Sequence, residues 1–330
     1  MTSRSPQVVE GAVETPHPGS RRRPFSWRRT GGKSVPYLLI LPVVLVLAAI
    51  LGYPIVRLVM LSLQQYELPD LIQSGLGHKA GHYIGLHNFS VVLHDQVFWH
   101  TLLRTLIFTA ANVGLTIVLG MLIALLLARA GKVARLLLSA GLVLVWSMPQ
   151  VVAIQVWYWI TNYNNGVLNW ILTELHAGNY FQHDWYGSTF SQLSMTTALI
   201  VWGAIPFVAI TLYAALSQVP GELVEAAEID GARSWRVFKD VTLPIIQPVL
   251  LILTSLSILW DFGVFVQPYL LIGQSAIHPS NYLMGIYIWE KGYFDTHYGL
   301  GAAISLLMLV IVAAMSVFYV RKMVKIGDVA

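Results

Sequence analysis

Apolar residues run along this chain in six long blocks, near 36–63, 101–128, 136–160, 195–216, 244–272 and 299–320, separated by polar segments that carry most of the charge. A helix crossing the ~30 Å hydrocarbon layer needs about 20 apolar residues, because lipid offers no partner for backbone N–H and C=O groups and the helix must satisfy its own. All six blocks reach that length, which exceeds what a soluble core element needs. The pattern predicts an all-α, polytopic membrane protein with six transmembrane helices over 36–330.

Composition agrees, with 56% apolar and only 11% charged residues. The basic residues are lopsided. Sixteen lie in one set of segments: Arg4, Arg21, Arg22, Arg23, Arg28, Arg29, Lys33, Arg129, Lys132, Arg135, Arg233, Arg236, Lys239, Arg321, Lys322 and Lys325. The opposite set holds only Lys79 and Lys291. Lys and Arg stay preferentially on the cytoplasmic side, so both termini and the segment near Glu225 are expected there. Residues 1–35 combine Pro, Ser, Gly and Arg with little apolar content and read as a disordered basic cytoplasmic tail. The apolar run that follows is too long for a signal h-region, so it should remain as the first span. Arginines in the tail suit anionic lipid, at roughly 1 kcal/mol for each near the surface, and imply no nucleic-acid partner. The absence of cysteine excludes disulfides, thiolate metal sites and cysteine nucleophiles.

The segment 219–243, between the fourth and fifth blocks, departs most from the apolar background. Pro220 suits the first turn of a short helix running to about Ile229, which Asp230 and Gly231 then break. Gly231 fits a helix end because it adopts positive φ without a Cβ clash. Asp230 is placed to cap a second short helix, on which Trp235 and Phe238 share a face. Leu243 and Pro244 end the unit and begin the fifth span. The result is a compact helix-turn-helix knob, with small alanines where another protein can approach closely.

Glu225, Ala226, Ala227, Asp230, Gly231, Ala232, Phe238, Leu243, Pro244 and Pro248 together resemble the coupling motif of permease subunits in bacterial ATP-binding-cassette importers. A second stretch, carried by Gly85, Leu86, Asn88, Phe89, Asp95, Phe98 and Thr105, resembles the outer segment of sugar-uptake permeases of the maltose and glycerol-phosphate type. The resemblance covers 36–330 and departs from the family after the fifth block. There Leu271, Ile272, Gly273, Gln274 and Ser275 stand where a Gly-Gly-Pro turn is usual.

A sugar path needs hydrogen-bonding groups beside flat aromatic surfaces. Asp261 is the clearest polar group within a span, since a carboxylate at the centre of a helix costs about 2.5–3.5 kcal/mol and persists beside water, a partner or a ligand. Two roles stay open for it, lining a cavity or pairing with Arg57 or Arg104. The resemblance implies sugar contacts at Trp146 and Gln150 flanking Pro149, at Trp202, Ala204 and Phe207 around Pro206, and at Trp260 and Asp261. Prolines 149, 206 and 268 should bend their helices. Trp157, Trp159 and Trp170 suit an interfacial belt, and Trp202 and Trp260 lie deeper.

No metal site is expected. His78 and His82 are four apart, but Gly77 and Gly81 oppose a helix there and no carboxylate or thiolate completes the set. Nor is there a glycine-rich loop ending in Gly-Lys-Ser or Gly-Lys-Thr, so ATP and Mg are expected on partner ATPase subunits and no cofactor on this chain. No catalytic residues are assigned. The resemblance implies a bacterial cytoplasmic (inner) membrane permease subunit, not an enzyme. Its implied partners are a second homologous permease subunit, two ATPase subunits, an extracytoplasmic sugar-binding protein, the sugar itself and membrane lipid. Import, rather than export, rests on the resemblance as well. An ion-gradient-driven secondary transporter would more often show ten or more spans and two related halves. A membrane-embedded enzyme would need paired catalytic groups at membrane depth, where Asp261 is the one carboxylate.

Overall fold

The computed structural model describes residues 35–76, 81–273 and 276–327. All of the expected basic tail except Val35, His78 of the histidine pair, and Gln274 and Ser275 of the departing turn lie outside the described residues. In chain order the first elements are α1 (Val35–Ser62), β1 (Gln64–Gln65), α2 (Leu68–Gly75), β2 (His82–Tyr83), α3 (His87–His94), α4 (Gln96–Arg129), α5 (Lys132–Ser147), α6 (Gln150–Ile160) and α7 (Val167–Glu174). They are followed by α8 (Thr189–Leu216), α9 (Gly221–Ile229), α10 (Ser234–Val237), a π turn (Phe238–Thr242), α11 (Leu243–Phe262), α12 (Val266–Ile272), α13 (Met284–Trp289), a second π turn (Glu290–Phe294) and α14 (Tyr298–Gly327). β1 and β2 form a short antiparallel ladder pairing Gln64 with Tyr83 and Gln65 with His82.

Among the described residues five helical runs are long and apolar enough to cross a membrane: α1, α4, α8, the run from Ser234 to Phe262, and α14. The sixth block is the pair α5 and α6, bent by 101° at the break between them. Proline causes this bend. The ring of Pro149 bars the preceding residue from helical dihedrals, and Met148 accordingly lies at φ −67°, ψ 127°.

The fifth block also differs from a single rod. Helix α11 stops at Phe262, Gly263 to Phe265 leave the helix, and α12 resumes at Val266. Pro268 is the third residue of α12, where a missing N–H is one that a helix start leaves unpaired anyway, so it opens a helix instead of bending one. Pro206 lies buried within an uninterrupted α8.

The chain divides at Pro54 into two units, and the described part of the first, 35–54, is the start of α1. In the second unit α4 and α8 form the central pair. Their approach is close at Gly120, where a Cβ would fall 2.6 Å from Val208 Cγ1. Beside it Ala124, Val208, Leu212 and Leu253 are buried together, and near the other end of α4 so are Val92, Phe98, Met284, Tyr287 and Ile304. One face of α4 is polar yet buried, through Thr101, Thr105, Thr109, Asn112 and Thr116. On that face Thr101 Oγ1, Thr109 Oγ1, Asn112 Oδ1 and Thr116 Oγ1 have no hydrogen-bond partner among the described residues.

The stretch 83–109 folds into a clamp at the end of α4 remote from α9. Gly85 takes a positive φ of 59° ahead of α3. Asn88 Nδ2 donates to the Ser62 and Gln64 carbonyls at 3.0 and 2.9 Å. Asp95 starts α4 by accepting from the Val97 N–H at 2.8 Å, and its other oxygen accepts from the Tyr287 hydroxyl at 2.7 Å. Thr105 Oγ1 accepts from the Met284 N–H at 2.9 Å. Asn88 thus ties α3 to the end of α1 and to β1, while Asp95 and Thr105 tie α4 to α13, which gives the Asn, Asp and Thr of that motif a structural reason.

Candidate functional site

Two places in the second unit collect the residues that the sequence singles out. The first is the knob of α9, α10 and the π turn. Helix α9 ends with the Gly231 N–H donating to the Glu228 carbonyl and the Ala232 N–H to the Ala227 carbonyl, both at 3.0 Å. This is the Schellman pattern, and it requires a left-handed residue at the position of Gly231, whose φ is 79°. Asp230 does not cap the second helix. It closes α9, with its N–H donating to the Ala226 carbonyl, and the residue before α10 is Arg233, which makes no side-chain cap. The Schellman turn uses Asp230 to Ala232, so α10 begins three residues later than an Asp230 cap would need.

Trp235 and Phe238 stack with ring centroids 5.7 Å apart. Beyond them the backbone widens into π hydrogen bonding, the Leu243 N–H reaching the Phe238 carbonyl, before α11 begins. Pro244 explains the widening: it has no N–H for the Asp240 carbonyl, and its ring crowds that carbonyl. Glu225, Ala226, Asp230, Gly231 and Pro244 are exposed, while Ala227, Ala232 and Leu243 are half-buried.

The second place is a cavity of about 290 Å³ among α5, α6, α8, α11 and α12. Trp146, Gln150, Trp202, Ala204, Phe207, Trp260 and Asp261 all line it. The bend at Pro149 brings Trp146 and Gln150 to the same wall although they belong to different helices. Trp146 and Phe207 stack at 6.2 Å with ring planes 18° apart, and Trp260 lies 5.9 Å from Phe207. Trp146 and Trp260 are each 59% exposed, so this aromatic wall is open on one side.

Asp261 is 7% exposed. Neither salt bridge among the described residues includes it; they join Lys291 to Asp295 and His297 to Glu67. The alternative pairing with Arg57 or Arg104 is therefore absent. Arg104 is occupied elsewhere, its Nη1 donating to the Pro279 and Tyr282 carbonyls at 3.2 and 2.9 Å. Asp261 instead faces the cavity with Gln150 and Gln267. Gln267 escaped the sequence reading. A glutamine two residues into α12, just after the Gly263 break, is the signal that would have found it.

Trp157 also departs from expectation. It is packed with Ala153, Ile154, Leu199 and Leu271, 6.1 Å from Trp202, whereas Trp159 and Trp170 are 59% and 64% exposed. Among the described residues no cluster of three His, Asp or Glu side chains is arranged to hold a metal ion.

Residues 116–323 match the family model described as binding-protein-dependent transport system inner membrane component. The diacetylchitobiose uptake system permease protein DasB of Streptomyces coelicolor is 41% identical over 93% of this chain and 91% of its own length. The trehalose/maltose transport system permease protein MalF of Thermococcus litoralis is 31% identical, over 86% of this chain and 92% of its own. Among solved structures, a chain of a bacterial ABC transporter involved in the import of the acidic polysaccharide alginate superposes with a TM-score of 0.73 at 18% identity. It covers 88% of this chain and 94% of that one, and so shows the shared fold. With the model, the relatives and the fold in agreement, this chain belongs to the family of binding-protein-dependent transport system inner membrane components, the multi-pass permease subunits of ABC importers.

Proposed function

We propose that the cavity at Asp261 is this subunit's part of a sugar path and that the knob at Glu225 to Ala232 is where a separate ATPase subunit grips it. The observation that carries the first half is convergence. Seven residues spread from Trp146 to Asp261 line a single cavity whose chemistry is aromatic faces beside one carboxylate and two amides. Sugars present C–H groups on the ring faces and hydroxyls around the edge, which such a lining complements. A neutral disaccharide suits it, in keeping with the diacetylchitobiose and trehalose/maltose in the names of two relatives.

A second, homologous permease subunit closes the side on which Trp146 and Trp260 are exposed. With the knob on the cytoplasmic face, as the basic residues favour, two ATPase subunits bind one knob each. Their closure on ATP and Mg draws the knobs together and opens the bundle outward, where an extracytoplasmic binding protein releases the sugar. Glu225 and Asp230 supply acceptors for charge-assisted hydrogen bonds, and Ala226 and Ala227 permit close approach.

The test separates the two sites in one assembled importer. Glu225→Ala should abolish both uptake and binding-protein-stimulated ATP hydrolysis. Asp261→Ala should lower uptake while that hydrolysis persists. Unchanged uptake in an assembled Asp261→Ala importer would remove the carboxylate from the path.

A further inference from the structure

The knob does not sit flush against the spans. Between them lies a second and larger cavity of about 770 Å³, walled by α4, α11 and the knob and unrelated to the cavity at Asp261. Its wall on the spans is apolar, lined by Met121, Leu122 and Leu125 of α4 and Leu250 of α11. Its rim is not. Arg129, the last residue of α4, and Glu228 of α9 both line it and are both exposed. Neither belongs to a salt bridge among the described residues, so a cation and an anion share one opening without neutralising each other.

Depth identifies the surroundings. α4 is long and apolar enough to cross a membrane, and it ends at Arg129. A basic residue ending a span sits at the headgroup layer, where a side chain of this kind meets lipid phosphate. An apolar pocket beneath that layer is bathed by acyl chains. Trp235, on the same rim and 72% exposed, has the amphipathic ring that favours this layer.

We propose that this cavity binds a phospholipid with a zwitterionic phosphoethanolamine headgroup, its acyl chain against Met121, Leu122, Leu125 and Leu250, its phosphate on Arg129 and its ammonium on Glu228. A purely anionic lipid would satisfy Arg129 but set its charge beside Glu228, and a quaternary choline would offer Glu228 no N–H to accept. The lipid fills the gap between knob and spans, so movement of the knob is passed to α4 through packed atoms instead of a void. This last consequence rests on the coupling role proposed for the knob; the binding itself does not.

Native mass spectrometry of the full-length assembled complex, titrated with phosphatidylethanolamine, phosphatidylglycerol or phosphatidylcholine of matched chains, tests the binding directly. The wild type should retain phosphatidylethanolamine in preference to both others. Arg129→Gln should lower retention roughly fivefold, as expected for one basic residue facing lipid phosphate. Glu228→Gln should erase the preference for the ethanolamine headgroup while leaving phospholipid bound. Both positions are exposed, so neither change threatens folding. Retention that ignores headgroup and both substitutions, a preference for phosphatidylglycerol, or a complex that keeps no phospholipid would each overturn the assignment. If lipid binds as stated but uptake in bilayers lacking phosphatidylethanolamine equals that in bilayers containing it, the site stands and its part in coupling falls.

Discussion

The knob and the cavity at Asp261 are built on opposite terms. The knob is a contiguous segment, 219–243, whose shape follows from local rules: a proline before α9, a left-handed glycine after it, and a proline-widened turn that merges into α11. The cavity takes its lining from α5, α6, α8, α11 and α12, and no two neighbouring residues would make it. A locally encoded surface keeps its form whatever the spans do, as the handle proposed for the knob would have to. A site assembled from several helices changes shape whenever they shift, as the path proposed for the cavity would have to.

Substitutions sharpen this contrast, beginning with the knob. Gly231→Val places a β-branched residue at φ 79°, a strain of about 1–2 kcal/mol in a segment with little packing to oppose it. ATP-driven uptake should fall to background while the protein still inserts and assembles. Gly231→Asn, which tolerates the left-handed region, should retain most of it. Equal uptake in the two variants would mean that the turn's geometry is irrelevant.

In the cavity the effects should be graded. Asp261→Asn keeps shape and removes charge, and uptake should drop about tenfold, the loss of one charge-assisted hydrogen bond. Phe207→Ala removes the ring between Trp146 and Trp260, and half-saturation for the sugar should rise roughly two- to tenfold with little change in maximal rate. A fall in maximal rate alone would assign Phe207 to packing.

The smallest effect is expected on the polar face of α4. Thr109→Val replaces a buried hydroxyl that has no partner among the described residues with a methyl of equal volume, so thermal stability should increase by about 1 kcal/mol. If uptake falls as stability rises, the polar face of α4 is used in another conformation of the transporter.

Much of this was legible in the sequence, for unequal reasons. Span length follows from bilayer thickness, so every apolar block is helical. The bend at Met148 was readable from Pro149, because a proline restricts its predecessor. The break after Phe262 was not, since Gly263 and Pro268 gave the cue without saying which would end the helix. Asp230 was misread as a cap because both a C-terminal turn and an N-cap accept Asp, and only the hydrogen bonds of Gly231 and Ala232 decide between them. The convergence of the seven cavity residues came from resemblance, and Gln267 was missed because it lies beyond the matched break. The α4 hydroxyls that have no partner among the described residues left no trace at all. Threonine in an apolar block reads as a residue bonded to its own helix, as Thr105 is to the Thr101 carbonyl at 2.8 Å.

The π turn at Phe238 to Thr242 has a mechanical meaning. Because the backbone widens there without stopping, helix is continuous from Ser234 to Phe262, 29 residues that form a rod of about 43 Å at ~1.5 Å rise per residue. Trp235 stands at one tip and Asp261 at the other. With a fulcrum at the first tip, tilting such a lever by about 10° sweeps the carboxylate through ~7 Å, given that length, a displacement on the scale of the cavity that it lines.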